Sequence, residues 1–135
     1  MTTGLTFGTF DQLHQGHEMM LREALMRCDR IVACVPEDEL VLQLKGRKPV
    51  QTFAERKEAL LASGLVEDVV PSDAQPGTYA VVQRIKPDVI LLGYDQLELK
   101  KNLTEWLTEH RLRIPLIGLQ PFEPDNYKSS LLRFE

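Results

Sequence analysis

Cysteine is scarce in this sequence of 135 residues: only Cys28 and Cys34 occur, which is too few for a disulfide framework. Both lie in apolar stretches, so we interpret them as buried thiols without a chemical role. The sequence also lacks an apolar run of about 20 residues, the length that a membrane-spanning helix requires. No basic N-terminal segment precedes a long apolar run, so no signal peptide is predicted. These absences favour a cytoplasmic protein that has no membrane partner.

Positive charge is not in excess either. The 16 lysine and arginine residues are outnumbered by 20 aspartate and glutamate residues, and the formal net charge is −4 at pH 7. Non-specific nucleic-acid binding needs a basic surface, so this balance argues against a nucleic acid as partner. It is compatible with a nucleotide ligand, because one local basic patch can hold one triphosphate. The length predicts a single domain over residues 1–135.

Short apolar runs alternate with helical patterns along the whole chain. Five runs are predicted to form strands: Leu5–Phe7, Arg30–Val35, Glu67–Val70, Val89–Leu92 and Leu116–Leu119. Helical spacing or capping signals mark four helices: His17–Cys28, Thr52 to about Ala62, Thr78–Ile85 and Leu99–His110. Three of the strand runs are apolar without alternation, which is typical of parallel strands covered on both faces. We therefore predict a Rossmann-like α/β domain, a five-stranded parallel sheet with helices on both faces.

The segment after the first predicted strand carries the strongest chemical signal. It reads Gly-Thr-Phe-Asp-Gln-Leu-His-Gln-Gly-His from Gly8 to His17, at the start of a predicted helix. A helix N-terminus offers free N–H groups and partial positive charge, and histidine donates to phosphoryl oxygens. This predicts a phosphate site with His14 and His17 at the carboxyl edge of the sheet, where α/β proteins bind ligands. Taken alone, the two histidines fit an ordinary loop or part of a metal site better than a phosphate site.

As a whole, this ten-residue segment resembles the signature of the HxGH nucleotidyltransferases, which include cytidylyltransferases, phosphopantetheine adenylyltransferases and archaeal-type FAD synthases. It is most similar to the glycerol-3-phosphate cytidylyltransferase and archaeal FAD synthase branches. Further segments match in family order: Glu37-Asp38-Glu39, the basic loop Lys45-Gly46-Arg47-Lys48-Pro49, Arg56, Leu92-Gly93-Tyr94-Asp95-Gln96 and Lys128-Ser129-Ser130. The resemblance spans residues 5 to 133.

The resemblance implies transfer of a nucleoside monophosphate from ATP or CTP to a small phosphorylated acceptor, with release of pyrophosphate. It implies four catalytic residues: His14, His17, Lys45 and Arg56. The implied nucleotide-binding set is Gly8, Thr9, Phe10, His14, Gly16, His17, Lys48, Gly93, Asp95, Ser129 and Ser130. Asp11 and Asp38 are expected to bind the acceptor. Mg²⁺ is expected as the cofactor that accompanies the triphosphate, without a metal site built from protein residues alone.

The expected chemistry needs no protein nucleophile, because a phosphate monoester is largely ionised at pH 7 and attacks the α-phosphorus itself. The basic loop offers charge but few apolar anchors. We therefore predict that residues from Leu44 to Val50 are mobile without ligand and close over the triphosphate.

Each matching segment also has a plainer interpretation. The basic loop could be a solvated turn, Asp95 a turn residue or a helix cap, and Arg56 one half of a surface ion pair with Glu55, Glu58 or Asp38. Three functions stay open: adenylyl transfer to FMN, cytidylyl transfer to glycerol 3-phosphate, and a catalytically idle nucleotide-binding module. FMN is favoured because the basic loop and the segment Gly93–Gln96 resemble the FAD synthases more. A homodimer is also left open.

A flavin acceptor would need an aromatic partner. Tyr94 or Trp106 could stack on its ring, although Trp106 shares an apolar helix face with leucines and is expected in the core instead.

Overall fold

The computed structural model describes residues 1–75 and 77–119. Strands and helices follow one another as β1 (Thr3–Phe7), α1 (Gln15–Ala24), β2 (Arg30–Val35), α2 (Asp38–Lys45), α3 (Phe53–Ala62), β3 (Asp68–Pro71), α4 (Ala80–Ile85), β4 (Val89–Leu92), α5 (Leu97–Glu109) and β5 (Leu116–Gly118). All strand pairs are parallel, and the order across the sheet is β3-β2-β1-β4-β5. The predicted five-stranded parallel sheet is confirmed.

Alternating side chains along the strands divide the apolar core between the two faces of the sheet. In β4, Leu91 belongs to one cluster and Leu92 to the other. Leu21 of α1 and Leu60 of α3 pack in the first cluster, whereas Leu103 of α5 packs in the second, to which α4 also contributes. Each such side chain stabilises the fold by about 1.5–3 kcal/mol through removal from water. Helices therefore cover both faces, as predicted.

In this strand order β1 lies between β2 and β4, and the chain adds strands on both sides of it. Its pairing with β2 runs to the end of the strand and continues with a bond from Gly8 N to Cys34 O of 3.2 Å. Its pairing with β4 covers only Gly4, Leu5 and Thr6. The carboxyl ends of β1 and β4 therefore part, and this is the switch point at which open α/β sheets bind ligands.

Helix α3 begins as predicted. Thr52 Oγ1 accepts from Glu55 N at 3.2 Å, and Glu55 Oε1 accepts from Thr52 N at 2.9 Å, which is the reciprocal capping box. Gly64 follows the helix with a φ of 77°.

Helix α2 is absent from the sequence prediction, which places Lys45 in the basic loop. That assignment is wrong: Glu37 is the N-cap of α2, Lys45 is its last residue, and Gly46 ends it with a φ of 75°. The helix spans eight residues and buries only Leu40 and Val41, so it leaves little periodic signal.

The other predicted helices exist with shifted ends. Helix α1 begins two residues earlier, with His14 as its N-cap, and ends at Ala24. Helix α5 also begins two residues earlier than predicted, at Leu97, whereas α4 begins at Ala80, after Tyr79 with a φ of 48°. Among residues 1–75 and 77–119, no helix has the length and apolarity to cross a membrane.

Candidate active site

The ring of Phe10 anchors the loop after β1 in the apolar core. Phe10 and Gln12 adopt left-handed backbone conformations, with φ values of 52° and 57°, which cost a non-glycine residue roughly 1–2 kcal/mol each. In return, the Phe10 ring is only 3% exposed and packs in the core. A Cβ at Gly8 would come within 2.7 Å of that ring. Glycine is therefore required at this position because Phe10 approaches the backbone so closely.

His14 and His17 form a reciprocal cap at the N-terminus of α1. His14 Nδ1 accepts from Gly16 N at 3.0 Å, and His17 Nδ1 accepts from His14 N at 3.3 Å. The two rings stack with centroids 3.9 Å apart. Because each Nδ1 is an acceptor, the neutral rings carry their proton on Nε2. The cap thereby selects the tautomer in which Nε2 is the donor, which is what contact with a phosphoryl oxygen requires.

A polar cleft of about 590 Å³ opens at this helix terminus, over the carboxyl ends of β1 and β4. The fold brings together most of the predicted site residues along it: Gly8, Thr9, Phe10, Asp11, His17, Lys45, Lys48, Gly93 and Asp95. With Arg47, the lining contains three cationic side chains, and Asp11 and Asp95 supply two carboxylates. His14 and Gly16 build the helix terminus beside it. The predicted Ser129 and Ser130 lie outside the described residues.

Arg56 lies behind the wall of the cleft, and its side chain has 0% exposure. Its Nη2 donates to Asp38 Oδ1 at 2.8 Å, its Nη1 to Thr9 O at 3.0 Å and its Nε to Gln51 O at 3.2 Å. One guanidinium therefore ties α3 to α2, to the end of β1 and to the segment between the two helices. The resemblance implies that Arg56 is a catalytic residue and that Asp38 binds the acceptor, but in this arrangement the two side chains bind each other.

Asp11 fastens the segment before α3 to the loop after β1. Its Oδ2 accepts from Val50 N at 2.8 Å and its Oδ1 from Gln51 N at 2.9 Å, while Gln12 N donates to Gln51 Oε1 at 2.9 Å. Both carboxylate oxygens that were expected to meet the acceptor thus hold backbone. With Lys45 in α2 and Val50 tied to Asp11, the span expected to move narrows to residues 46–49.

A second pocket, of about 240 Å³ and largely apolar, adjoins the cleft on the side of β2. The two share Phe7, Gly8, Thr9 and Gln96. The remaining apolar lining comes from separate segments of the chain: Cys34, Pro36, Leu40, Leu44, Tyr79, Val81 and Leu99. Sequence reasoning missed this pocket because no local pattern relates those segments.

Aromatic side chains stand at the apolar pocket in a fixed arrangement. Tyr79 meets Phe7 edge-on with centroids 6.3 Å apart, and it meets Trp106 in the same way at 5.7 Å. Trp106 is 8% exposed and packs in the core, as expected, whereas Tyr94 is 42% exposed. Tyr79, which sequence reasoning did not single out, is therefore the tyrosine that lines the apolar pocket.

Burial sets the protonation of two groups in the apolar pocket. It raises the pKa of the Cys34 thiol to about 12, with a smaller contribution from the Asp73 carboxylate, which outweighs the opposite effect of Arg84. Burial also raises the pKa of Tyr79. Both groups are therefore neutral near pH 7, and Cys34 is not a nucleophile there.

Comparison with known proteins identifies the family to which the chain belongs. The profile of the cytidylyltransferase-like family matches residues 5–134. The FAD synthase of Thermococcus sibiricus is 33% identical over 129 residues, which cover 96% of this chain and 84% of that protein. The FAD synthase of Pyrococcus abyssi is 36% identical over 124 residues, which cover 91% of this chain and 84% of that protein.

Two solved structures share the fold. A lipopolysaccharide core biosynthesis protein from Thermoplasma volcanium superposes with a TM-score of 0.82 at 24% identity, over 91% of this chain and 99% of that one. Pantothenate synthetase from Thermus thermophilus superposes with a TM-score of 0.65 at 12% identity, over 94% of this chain and 58% of that one. The chain belongs to the cytidylyltransferase-like family and is a nucleotidyltransferase, so the predicted fold and reaction class are both confirmed.

Proposed function

We propose that this nucleotidyltransferase is an FMN adenylyltransferase, which transfers the AMP unit of ATP to the phosphate of FMN and so produces FAD and pyrophosphate. The observation that carries the proposal is the pair of adjoining pockets at the end of β1, one polar with three cations, the other largely apolar. Cations and backbone N–H groups bind a triphosphate, whereas a flavin ring needs an apolar slot. The FAD synthases similar to this chain point to the same two substrates.

The apolar pocket suits a flavin better than it suits glycerol 3-phosphate. Leu40, Leu44 and Leu99 supply aliphatic surface, and Tyr79 and Phe7 supply aromatic surface. The hydroxyl groups of a glycerol phosphate would lose water against this surface, and only the few polar side chains of the lining, such as Ser72 and Gln75, would offer them hydrogen bonds. A planar ring system instead gains from apolar contact and from aromatic neighbours.

The reaction follows from the meeting of the two pockets at Gly8 and Thr9. An oxygen of the FMN phosphate attacks the α-phosphorus of ATP and forms a new P–O bond. The bond from the α-phosphorus to the oxygen that bridges it to the β-phosphorus breaks, and its electron pair leaves with pyrophosphate. The FMN phosphate is largely ionised near pH 7, so the protein needs to align the reactants and offset charge rather than remove a proton.

Different residues of the cleft would align the reactants and offset their charge. His17 would donate from Nε2 to the α-phosphoryl region, where charge shifts as the bond breaks. Lys45, Arg47 and Lys48 would bind the outer phosphates from the opposite wall. The backbone N–H of His14 would hold His17 in the donor tautomer, while the His14 ring caps the helix by accepting from Gly16 N.

Arg56, Asp38 and Asp11 would act as positioning residues in this scheme. The groups that they bind belong to the protein: Arg56 binds Asp38 and the Thr9 carbonyl, and Asp11 binds the backbone of Val50 and Gln51. Through these bonds they would hold the end of β1 against α2 and α3, and would thereby keep both pocket walls in register.

The cleft fits a Mg²⁺ ion that arrives with its nucleotide. Within residues 1–75 and 77–119, no group of three or more His, Cys, Asp or Glu side chains is placed to hold a metal ion. Asp95, however, presents an exposed carboxylate to the cleft, and Mg²⁺ is commonly held by one or two carboxylates together with substrate phosphates and water. Asp95 would therefore hold the ion, which would offset the negative charge of the phosphates when bound.

The proposal extends to compartment and assembly. Cys28 and Cys34 are both free and buried, in keeping with action in a reducing cytoplasm. A homodimer remains a prediction, which sedimentation at micromolar protein concentration would test.

Pyrophosphate release tests the proposed function. Purified protein with Mg²⁺ is assayed with ATP or CTP in combination with FMN or glycerol 3-phosphate, and the product is identified by mass. We expect release with ATP and FMN, with FAD as product. Release with CTP and glycerol 3-phosphate alone would replace the proposed substrates, and no release with any acceptor tried would favour an idle binding module.

A further inference from the structure

The gap between β1 and β4 at the carboxyl edge is spanned by one side chain. Gln96 Nε2 donates to Phe7 O at 2.9 Å, and Gln96 Oε1 accepts from Gly93 N at 2.8 Å. The ladder between the two strands stops at Thr6, so the Phe7 carbonyl and the Gly93 N–H have no neighbouring strand to pair with. The amide of Gln96 takes the place of the next rung of the sheet.

The orientation of this amide is dictated by its neighbours. A carbonyl oxygen only accepts and a backbone N–H only donates, so the NH₂ group must face Phe7 and the oxygen must face Gly93. A second bond, from Gln96 N to Gly93 O at 3.0 Å, closes the turn between them. A side chain at position 93 would crowd this turn, because a Cβ there would lie 3.1 Å from Asp95 Oδ1.

Gln96 also lines both pockets, at the place where they adjoin. On one side of its amide stands the end of β1 with Gly8 and Thr9, which both pockets share. On the other stands the turn with Gly93 and Asp95, which belongs to the cleft. The bonds of Gln96 therefore join the two sides at the place where the pockets meet.

We infer that Gln96 is a positioning residue for group transfer: by bridging β1 and β4 it fixes the separation at which the triphosphate and the acceptor phosphate meet. The inference rests on the proposed two-substrate reaction but not on the identity of the acceptor. Catalysis by alignment is sensitive to small displacements, so loss of the bridge acts on turnover more than on binding of either substrate.

Gln96→Glu provides the sharpest test, because it keeps the acceptor for Gly93 N but removes the donor to Phe7 O. The ionised carboxylate would face the carbonyl oxygen, whereas the protonated acid would donate to it and restore the bridge. The pKa of the introduced carboxyl group is therefore raised above the ordinary glutamate value, and the bridge is present below that pKa and lost above it. We expect kcat to fall about tenfold to a hundredfold at pH 8 and to recover toward the wild-type value as the pH falls.

The measured quantity is the ratio of kcat for the variant to kcat for the wild type between pH 5 and 8. The wild type shares every other ionisable group of the two pockets, so the ratio removes their titration: Asp11, His17, Cys34, Lys45, Arg47, Lys48, Asp73, Tyr79 and Asp95. Gln83→Glu, on the exposed side of α4, adds the same charge outside both pockets and is expected to leave the ratio at one. Gln96→Met keeps the length of the side chain without either bond, so its kcat is low at every pH.

A flat ratio for Gln96→Glu, or a loss confined to the KM for ATP, overturns the inference. So does unfolding of both Gln96 variants below the assay temperature, since Gln96 would then maintain the fold rather than the alignment. If the wild type uses glycerol 3-phosphate in place of FMN, the proposed function fails, and the same ratio measured with that acceptor still decides the role of Gln96.

Discussion

The two pockets at the end of β1 differ in chemistry although they share a strip of backbone, and helix α2 accounts for much of the difference. Residues four apart lie on the same side of a helix. Leu40 and Leu44 line the apolar pocket, whereas Val41 and Lys45 line the polar cleft. One helix of eight residues therefore presents apolar surface to one pocket and a cation to the other. A partition of this kind lets unlike substrates meet at their reacting ends while their other parts are kept separate.

The walls of the cleft differ as well, in how firmly they are held. The wall formed by the loop after β1 is tied by Arg56 and Asp11 and anchored by Phe10 in the core. The opposite wall carries Arg47 and Lys48, which are exposed. The cleft thus combines a wall held in place, suited to alignment, with an exposed wall that we predict closes over the nucleotide.

The largest effect is expected from Arg56, because it binds the carbonyl of Thr9, a residue that lines both pockets. Arg56→Met leaves Asp38 without its cation and the Thr9 carbonyl without its donor. We expect the free energy of unfolding to fall by about 3–5 kcal/mol, because three hydrogen bonds of a buried cation are lost at about 1–1.5 kcal/mol each. Urea denaturation measures it, with Arg84→Met on the exposed side of α4 as the control. If Arg56→Met leaves the stability unchanged and only weakens ATP binding, Arg56 contacts a phosphate of ATP directly.

The second prediction breaks only the polar cleft. His17→Ala removes a donor whose interaction strengthens in the transition state, so we expect kcat to fall about 10²–10³-fold while the Kd for ATP changes little. Single-turnover kinetics and calorimetric titration measure the two quantities. His110→Ala is the matched control, because His110 packs on Trp106 away from both pockets. Turnover within a few-fold of the wild type would remove His17 from the chemistry.

The third prediction breaks only the apolar pocket. Leu44→Asp places a charge on its rim, and we expect the KM for FMN to rise about tenfold, in line with about 1–3 kcal/mol for one apolar contact, while the KM for ATP stays constant. Leu61→Asp changes an exposed leucine of α3 outside both pockets and serves as the control. An equal rise in both KM values would mean that α2 does not separate the two substrates.

The smallest expected effect concerns the wall of the cleft that carries Arg47 and Lys48, which we predict closes over the nucleotide. Trypsin is expected to cut after Lys45 or Arg47, and ATP with Mg²⁺ should slow that cleavage several-fold by ordering residues 46–49. Cleavage is followed by mass spectrometry, with Arg111, which is exposed and lies outside both pockets, as the reference site. Equal rates with and without nucleotide would show that this wall does not close.

The sequence by itself determined those features that are encoded within a few residues. Apolar runs and helical spacing located the five strands and four of the helices, and the capping box from Thr52 to Glu55 located the start of α3. The string from Gly8 to His17 marked the carboxyl end of β1 as the site, because it combines a helix terminus, glycines and histidines in one continuous segment.

Tertiary structure alone decided which of the predicted residues face the cleft and which support it. The bonds that assign those roles join residues far apart in the chain: 39 residues from Asp11 to Val50, 47 from Thr9 to Arg56 and 89 from Phe7 to Gln96. The apolar pocket likewise draws its lining from segments that follow β1, β2, β3 and β4. No periodicity or motif links such positions, since what brings them together is the strand order of the sheet and the packing of helices on it.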